Sequence, residues 1–445
     1  MSQSQQYKIV EAVMFADRLG GPNNNTFDLR SLIAELNVFE SLDKPYLSGS
    51  ATVLDDKAIF DSINFQGTER LRIKMASVEN ELDVVFERTF MMTGIERIRK
   101  TNDTGKSSMY LFTLLDEHAF RSRINKISKS YQGSLENIIA KIMANEFGKS
   151  IDLSYSVGAD SVQTDIRCIV PNMTPLDAVK WLIQRASTET GSPFFAYASM
   201  HDNNIRLGNL DVMLQQKAFN RKLPYTYNPS NVSLAESQTE LEKTFTIKHI
   251  RSGSMANTLK LIETGAVTSR YSNTNLNTGQ IFSQRHSIRK TLESLENKNI
   301  IGKKQNVFDG EFSIGEQLVD LYDAKKYHTV SSTGTYGAYK SYNDEFDETK
   351  FKKKIEPAAI KNHLHKNTLN VVVEGGGFIV SKATVGDIVN INVVNDNSLT
   401  DNVNNEDDVL DKRMSGNFLI YETRHTFQGT QHSVSMNVCK LERLE

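Results

Sequence analysis

Residues 70–75 alternate without a break. Leu71, Ile73 and Met75 fall on one side, and Arg70, Arg72 and Lys74 on the other. Side chains along a strand point to opposite faces with a period of two, so the pattern predicts a strand with one dry face and one wet face. Gly67 supplies a turn ahead of it, and Ser48-Gly49 reads as a second turn that opens another strand within residues 46–56. The same grammar fills the first part of the chain. Residues 10–15 form a short apolar strand, and residues 20–25 (G-G-P-N-N-N) a turn or mobile loop. Residues 29–39 suit a strand with a bulge better than a short helix. Leu82, Val84 and Phe86 alternate with Asp83, Val85 and Glu87. Residues 91–99 and 109–115 are further strands, parted by a turn at 101–106. Repeated strands with one polar face predict a barrel or sandwich over residues 1–125.

Residues 126–215 change character to an α+β module. Ser134 caps a helix whose apolar face is Leu135, Ile138, Ile139, Ile142 and Met143, and Gly148 stops it. A second helix opens with Thr174 as N-cap, Pro175 at the first helical position, where its missing N–H costs nothing, and Asp177 completing a capping-box-like pattern. Its buried face is Leu176, Val179, Leu182, Ile183 and Ala186. Residues 194–198 and 205–207 then form a hairpin around His201-Asp202-Asn203-Asn204.

Residues 216–255 carry strand potential at 243–250, and residues 365–445 are β again. Residues 368–373 make a strand that Gly375, Gly376 and Gly377 break, and Val389, Ile391 and Val393 alternate with Asn390 and Asn392. An acidic, Asn-rich loop runs over about 395–411, followed by the closing strands. Between these parts, residues 256–364 are polar, with helix candidates at 288–296 and 317–322 and a basic tract at 349–354. They read as an inserted domain with its own small core, or as a surface extension. Ser415-Gly416 echoes Ser48-Gly49 and Gly386 echoes Gly67, so a weak internal repeat places a small barrel near each end.

At 445 residues the chain exceeds one ordinary core, which predicts two to four domains. With 52 basic and 54 acidic residues and a net charge of -2, it is not built as a dedicated nucleic-acid binder. Cys168 and Cys439 lie far apart and read as buried free thiols. No apolar run reaches membrane-spanning length and the first residues lack a signal-peptide core. The expectation is a soluble chain made in the cytoplasm and carried outward, if at all, inside an assembly.

Five ordered segments carry a resemblance. They are Leu47-Ser48-Gly49, the stretch 67–75, Tyr131-Gln132-Gly133 before the Ser134 helix, Pro171-Asn172 with the Thr174 helix, and the closing strands over 415–427. Over nearly the whole chain this order resembles the central baseplate hub protein of contractile-tailed phages, and in architecture the N-terminal part of type VI secretion spike proteins. The resemblance implies a mixed, β-dominated fold. Two tube-type antiparallel barrels (1–125, then 216–255 with 365–445) are separated by the α+β module (126–215), with a small domain (256–364) inserted in the second barrel. It further implies a homotrimeric ring joining a six-fold tail tube to a three-fold central spike. Three chains with two similar barrels each present six barrel positions, and edge-to-edge closure removes exposed strand edges. The implied partners are a second and third copy, the tube protein, the spike protein and other baseplate proteins, with DNA passing the lumen without specific binding and no stable membrane insertion. Arg70, Arg72 and Lys74 would line the channel or touch a neighbour. The implied location is the virion tail, assembled in the host cytoplasm. Unlike the spike proteins, the sequence shows no repetitive β-helix after its second barrel, so a separate spike would dock.

No catalytic, cofactor or metal residue is assigned. His363 and His365 point apart and lack a third ligand nearby in sequence. The acidic run 395–408 lacks the ordered spacing of a calcium loop and reads as solvated. His201 beside Asp202 sits in a hairpin turn without a partner nucleophile. The three glycines at 375–377 lack the lysine and flanking pattern of a phosphate loop. Trp181 belongs to a core or interface, and Lys352, Lys353 and Lys354 to a solvated surface or a contact with an acidic neighbour. A tail-tip cell-wall hydrolase would need paired carboxylates or a Cys/His set, and a receptor-binding β-protein would show repeats or a fibrous end. Neither is present in the sequence.

Overall fold

The computed structural model describes residues 7–16, 26–56, 60, 65–77, 84–100, 108–156, 166–228, 244–253, 258–276, 278–301, 313–314, 317–318, 324–331, 348–394, 410–411 and 413–441. The expected turns at 20–25 and 101–106, and the acidic loop over 395–408, lie outside these residues.

The first strands are β1 (Lys8–Phe15), β2 (Thr26–Asp28), β3 (Ile33–Ser41), β4 (Ser48–Asp55), β5 (Arg70–Ala76), β6 (Val84–Lys100) and β7 (Ser108–Asp116). They lie side by side in the order β3-β4-β7-β6-β5-β1-β2, all antiparallel. The founding alternation holds, for Leu71, Ile73 and Met75 are fully buried while Arg70, Arg72 and Lys74 stay partly exposed. Gly67 adopts the left-handed φ of 78° that its turn requires.

Three details differ from the sequence reading. The segments expected as separate strands around Phe86 and over 91–99 are one strand, β6. Within it Val85 is buried and Val84 exposed, the reverse of simple alternation, because the β5 pairing slips a residue between Met75–Phe86 and Ala76–Val84. Gly49 is no turn residue. It lies inside β4, where a Cβ would stand 2.6 Å from the Asn37 carbonyl oxygen, so glycine is there for close approach of two backbones.

The middle of the chain carries α1 (Glu117–Ile124), β8 (Ser130–Gly133), α2 (Leu135–Phe147), β9 (Ile151–Asp152), β10 (Ile166–Ile169), α3 (Pro175–Ile183), β11 (Phe194–Ala198), β12 (Ile205–Asn209) and α4 (Leu210–Leu214). The caps act as the sequence predicts. The Ser134 side chain accepts from the Asn137 N–H, Gly148 closes α2 at φ 64°, and the Thr174 side chain accepts from the Asp177 N–H behind Pro175. All five predicted residues of α2 are buried. On α3, Ala178 joins Val179 and Leu182 inside, Leu176 and Ile183 are only partly buried, and Ala186 is buried just beyond the helix end. The face rotates because Pro175 and Ala178 pack inward.

The remaining elements are β13 (Tyr225–Tyr227), β14 (His249–Ser252), α5 (Thr258–Glu263), β15 (Thr268–Asn275), β16 (Ile281–Ser287), α6 (Ile288–Asn297), β17 (Ser313–Ile314), β18 (Gln317–Leu318), β19 (Lys325–Ser331), α7 (Glu348–Leu364), β20 (Thr368–Glu374), α8 (Gly376–Ser381), β21 (Ile388–Val393), β22 (Gly416–Gln428) and β23 (Gln431–Cys439). Gln317 and Leu318, expected in a helix, instead pair with Ser313 and Ile314 as a short strand. The strand expected over 243–250 shrinks to β14, which pairs with β20. Tyr271 and Ile355 form a small core with Phe282 and Tyr327, while Leu292, Leu295, Ile360 and Leu364 pack into the larger core of β20–β23.

The protein is β-dominated, with a 13-stranded sheet that runs from β14 to β2. Among the described residues no sheet closes on itself. The two ends of the chain are joined by β3 and β22, which pair antiparallel from Ser41–Glu422 to Glu35–Gln428.

The two ends also share a pairing pattern. β6 lies between β5 and β7, and β22 between β21 and β23. Each long strand breaks register at one corresponding place, β6 between Met92 and Gly94 and β22 between Ile420 and Glu422. Counted from that bulge, Met92 faces Leu114 as Ile420 faces Val438, and Leu71 faces Phe90 as Val389 faces Phe418. One strand further out, Gly49 faces Leu114 as Leu369 faces Val438, and Asn37 faces Ser50 as Arg251 faces Asn370. The Met92 N–H donates to the Glu69 carbonyl as the Ile420 N–H donates to that of Asp387. Thus β3, β4, β5, β6 and β7 correspond to β14, β20, β21, β22 and β23. The correspondence corrects one sequence echo, since Ser48 matches Thr368 and Gly416 falls opposite Ile391, so Ser415-Gly416 and Ser48-Gly49 are not equivalent.

Candidate functional site

A buried carboxylate, that of Glu40, sits where the two strand sets meet. In β3, Glu40 keeps phase with the buried Leu36 and Val38, so strand periodicity alone drives its carboxylate inward, to 2% exposure. A buried carboxylate must be hydrogen-bonded, and this one draws its partners from three parts of the chain. One oxygen accepts from the Met200 N–H at 2.6 Å and the Thr384 hydroxyl at 3.0 Å. The other accepts from the Thr423 hydroxyl at 2.7 Å and stands 3.4 Å from His425 Nε2. Burial pushes its pKa up, but the His425 contact, the nearby His201 and the Thr423 hydroxyl outweigh burial and hold it at about 2. His425 Nδ1 lies 3.2 Å from His432 Nε2, and burial depresses the His432 pKa strongly.

A second polar layer surrounds the first. The His201 ring Nε2 lies 3.0 Å from the Ala383 carbonyl oxygen. Asp387 accepts from the Tyr155 hydroxyl at 3.0 Å and from the Thr384 N–H at 2.9 Å, and burial raises its pKa. Arg206 bonds Asp202 at 2.8 Å, with Asp152 at 3.9 Å. From β6, Arg88 donates to the Ser199 carbonyl at 2.6 Å and also to Asn203 and the Asp202 carbonyl. The 199–204 turn is thereby fixed to both strand sets. Most of these groups are paired with one another inside the protein, although Arg88 Nε, Arg206 Nε, His425 Nε2 and His432 Nδ1 make no hydrogen bond. What the arrangement does physically is lock the middle module and both strand sets into one geometry.

His201 occupies the hairpin turn between β11 and β12, as the sequence predicts, and is partly buried with its ring against the Ala383 carbonyl. His363 is buried, and His365 stacks edge-on against Tyr421 at 4.5 Å, so the two rings do point apart. Cys168 and Cys439 are free and buried, and burial raises both thiols, Cys168 to about 11. Trp181 is partly buried beneath the Arg185 guanidinium, 4.6 Å from its ring. A Cβ on Gly375 would strike the His432 ring and one on Gly377 the Tyr225 hydroxyl, so these glycines are there for packing. Lys352, Lys353 and Lys354 lie on α7. On the wet face of β5, Arg72 pairs with Glu87 at 2.7 Å and Glu11 at 3.6 Å, and Lys74 with Glu87 at 3.7 Å, which neutralises much of that stripe. No group of three or more His, Cys, Asp or Glu suited to a metal occurs among the described residues. Nor is any described helix long and apolar enough to cross a membrane. Glu40 escaped the sequence reading, although its signal was there as an acidic residue in phase with Leu36 and Val38.

No family model matches the sequence, and no curated protein matches it. Solved structures do. A tail protein from Neisseria meningitidis overlaps with a TM-score of 0.52 at 10% identity, over 98% of this chain and 97% of that one. A 43 kDa tail protein of the Shewanella oneidensis prophage MuSo2 gives 0.52 at 10% identity, over 97% and 98%. A component of the Escherichia coli type VI secretion system gives 0.41 at 9% identity, over 98% of this chain and 76% of that one. The chain shares the fold of the Neisseria and MuSo2 tail proteins over nearly its whole length.

Proposed function

We propose that this chain is a structural hub of a contractile-tail baseplate, a homotrimeric ring that joins the six-fold tail tube to the three-fold central spike and leaves a channel for DNA. The supporting observation is the repeated pairing pattern, because β3–β7 and β14 with β20–β23 share register and bulge and stand edge to edge through β3 and β22. One chain then supplies two similar wedges, and three copies supply six. A ring of six similar positions matches a tube hexamer on one side while remaining a trimer toward the spike.

The proposed partition is a first tube-type unit at 1–125, the middle module at 126–215, a second unit from 216–255 with 365–445, and an insertion at 256–364. The buried junction around Glu40 holds the two wedges at one angle, as a ring demands. Proposed partners are two further copies, the tube and spike proteins and other baseplate proteins, in the virion tail. DNA would pass without specific grip, because phosphate affinity comes from Lys and Arg, and here 54 acidic residues offset 52 basic ones. The role is structural, not enzymatic.

Electron microscopy of the purified chain tests this. The expected class averages are three-fold rings with a central hole. A stable monomer at micromolar concentration, without affinity for tube or spike protein, overturns the proposal. So does clearing of peptidoglycan in a zymogram, which would establish a hydrolase.

A further inference from the structure

The contact between β3 and β22 is also a template for a contact the single chain leaves unmade. β3 corresponds to β14, and β22 to β6. Among the described strands β14 is the terminal one of the sheet and pairs on one side only, with β20. The second half of β6 pairs with β7, but β5 reaches only as far as Met91, so from Thr93 onward its other edge meets no described strand. On β22 the corresponding stretch, beyond its bulge, is the part that receives β3. Each chain thus has one such seam filled internally and the two halves of another left open.

Resting on the hub reading, we propose that β14 of one copy pairs antiparallel with the second half of β6 of the next, in the register of β3 on β22. The template pairs are Val38 with His425 and Phe39 with Arg424. Carried over through the bulge, they set Ser252 opposite Arg97 and Gly253 opposite Glu96. The occupant of each edge is a second copy of this chain.

Charge supports the match. In the filled seam Arg424 reaches diagonally to Asn37 at 2.9 Å and lies 3.6 Å from Glu35. The residue corresponding to Arg424 is Glu96, and that corresponding to Asn37 is Arg251. The diagonal Arg–Asn pair of the filled seam thus becomes an oppositely charged pair, Glu96 with Arg251. Both are exposed within the single chain, as are Arg97, Ser252 and Gly253. Diagonal neighbours in a strand pair are within reach of long side chains. Such a head-to-tail contact closes into a ring only if the rotation allows it, and the internal seam already sets that rotation.

Cysteine cross-linking of the full chain tests the register. Two double variants are made, Ser252→Cys with Arg97→Cys, and Gly253→Cys with Glu96→Cys. Adjacent pairs alternate between the wide and close spacing of an antiparallel ladder, so at least one has disulfide geometry. Native Cys168 and Cys439 are buried and serve as unreactive background. The expected result is oxidation to covalent trimers on non-reducing gels for at least one pair, with none for the four single variants. In addition, Arg251→Glu should lower the trimer fraction severalfold near its dissociation midpoint, and Glu96→Arg in the same chain should restore it. Wild-type trimers with neither pair cross-linking overturn the seam and leave the hub intact. Cross-linking of Ser252→Cys with Ile95→Cys in place of both pairs overturns the register. A ladder beyond trimer overturns ring closure, and a wild-type monomer overturns the hub and the seam together.

Discussion

Replacing Glu40 by alanine removes the acceptor on which three buried donors depend, namely the Met200 N–H and the Thr384 and Thr423 hydroxyls. A buried donor left unpaired costs about 1–3 kcal/mol, and the two hydroxyls are free to turn elsewhere, so the loss should total about 3–5 kcal/mol. An independent route gives a similar size. The folded carboxyl titrates at about 2 instead of its ordinary 4.5, and at about 1.4 kcal/mol per unit that difference is worth about 3 kcal/mol. The sign follows from the direction of the shift. A depressed carboxylate contributes its full stability above pH 4.5 and loses it as the pH falls toward 2. The assay is urea unfolding of wild type, Glu40→Ala and Glu40→Gln at steps from pH 6 down to the acid limit of the fold. Wild type should converge on Glu40→Gln as acid neutralises the carboxylate. Because the carboxylate links the middle module to both strand sets, Glu40→Ala should also split the transition into separate steps. Parallel pH profiles for wild type and Glu40→Gln, or a loss below about 1 kcal/mol for Glu40→Ala, would refute the claim that this carboxylate holds the junction.

Three further outcomes are expected. Gly49→Ala should cost about 1–3 kcal/mol in urea unfolding, because its Cβ meets the Asn37 carbonyl at 2.6 Å and a paired strand cannot retreat; Gly67→Ala, with open space around it, should show only the cost of its positive φ. Burial, aided by Lys366 and His286, lowers the His363 pKa to about 3, so the unfolded chain takes up that proton near pH 6.5 and the folded chain does not; wild type should therefore lose about 2–3 kcal/mol between pH 6.5 and 4.5 that His363→Leu does not lose, read from paired stability curves. Thr174→Ala should cost about 1 kcal/mol through loss of the α3 cap, while Thr174→Ser should be close to neutral in thermal melts.

Local periodicity and punctuation determined much of this protein before any fold was drawn. The alternation of Leu71, Ile73 and Met75, the five-residue face of α2, and the caps Ser134, Gly148 and Thr174 are each decided within a few residues of backbone, where a period of two or 3.6 and a satisfied N–H are enough. What needed the tertiary structure depends on partners far away along the chain. Gly49 looks like a turn until Asn37 is seen passing across it. Val84 and Val85 exchange faces because of a slip in register against β5. The repeat was audible in Gly67 and Gly386, yet its true alignment rests on a shared bulge at Thr93 and Tyr421 that leaves no residue signature. Glu40 is the clearest case. Its phase in β3 places a charge inside, but only the approach of Met200, Thr384 and Thr423 makes that position tolerable, because desolvation is a local cost and its compensation is assembled from three distant segments.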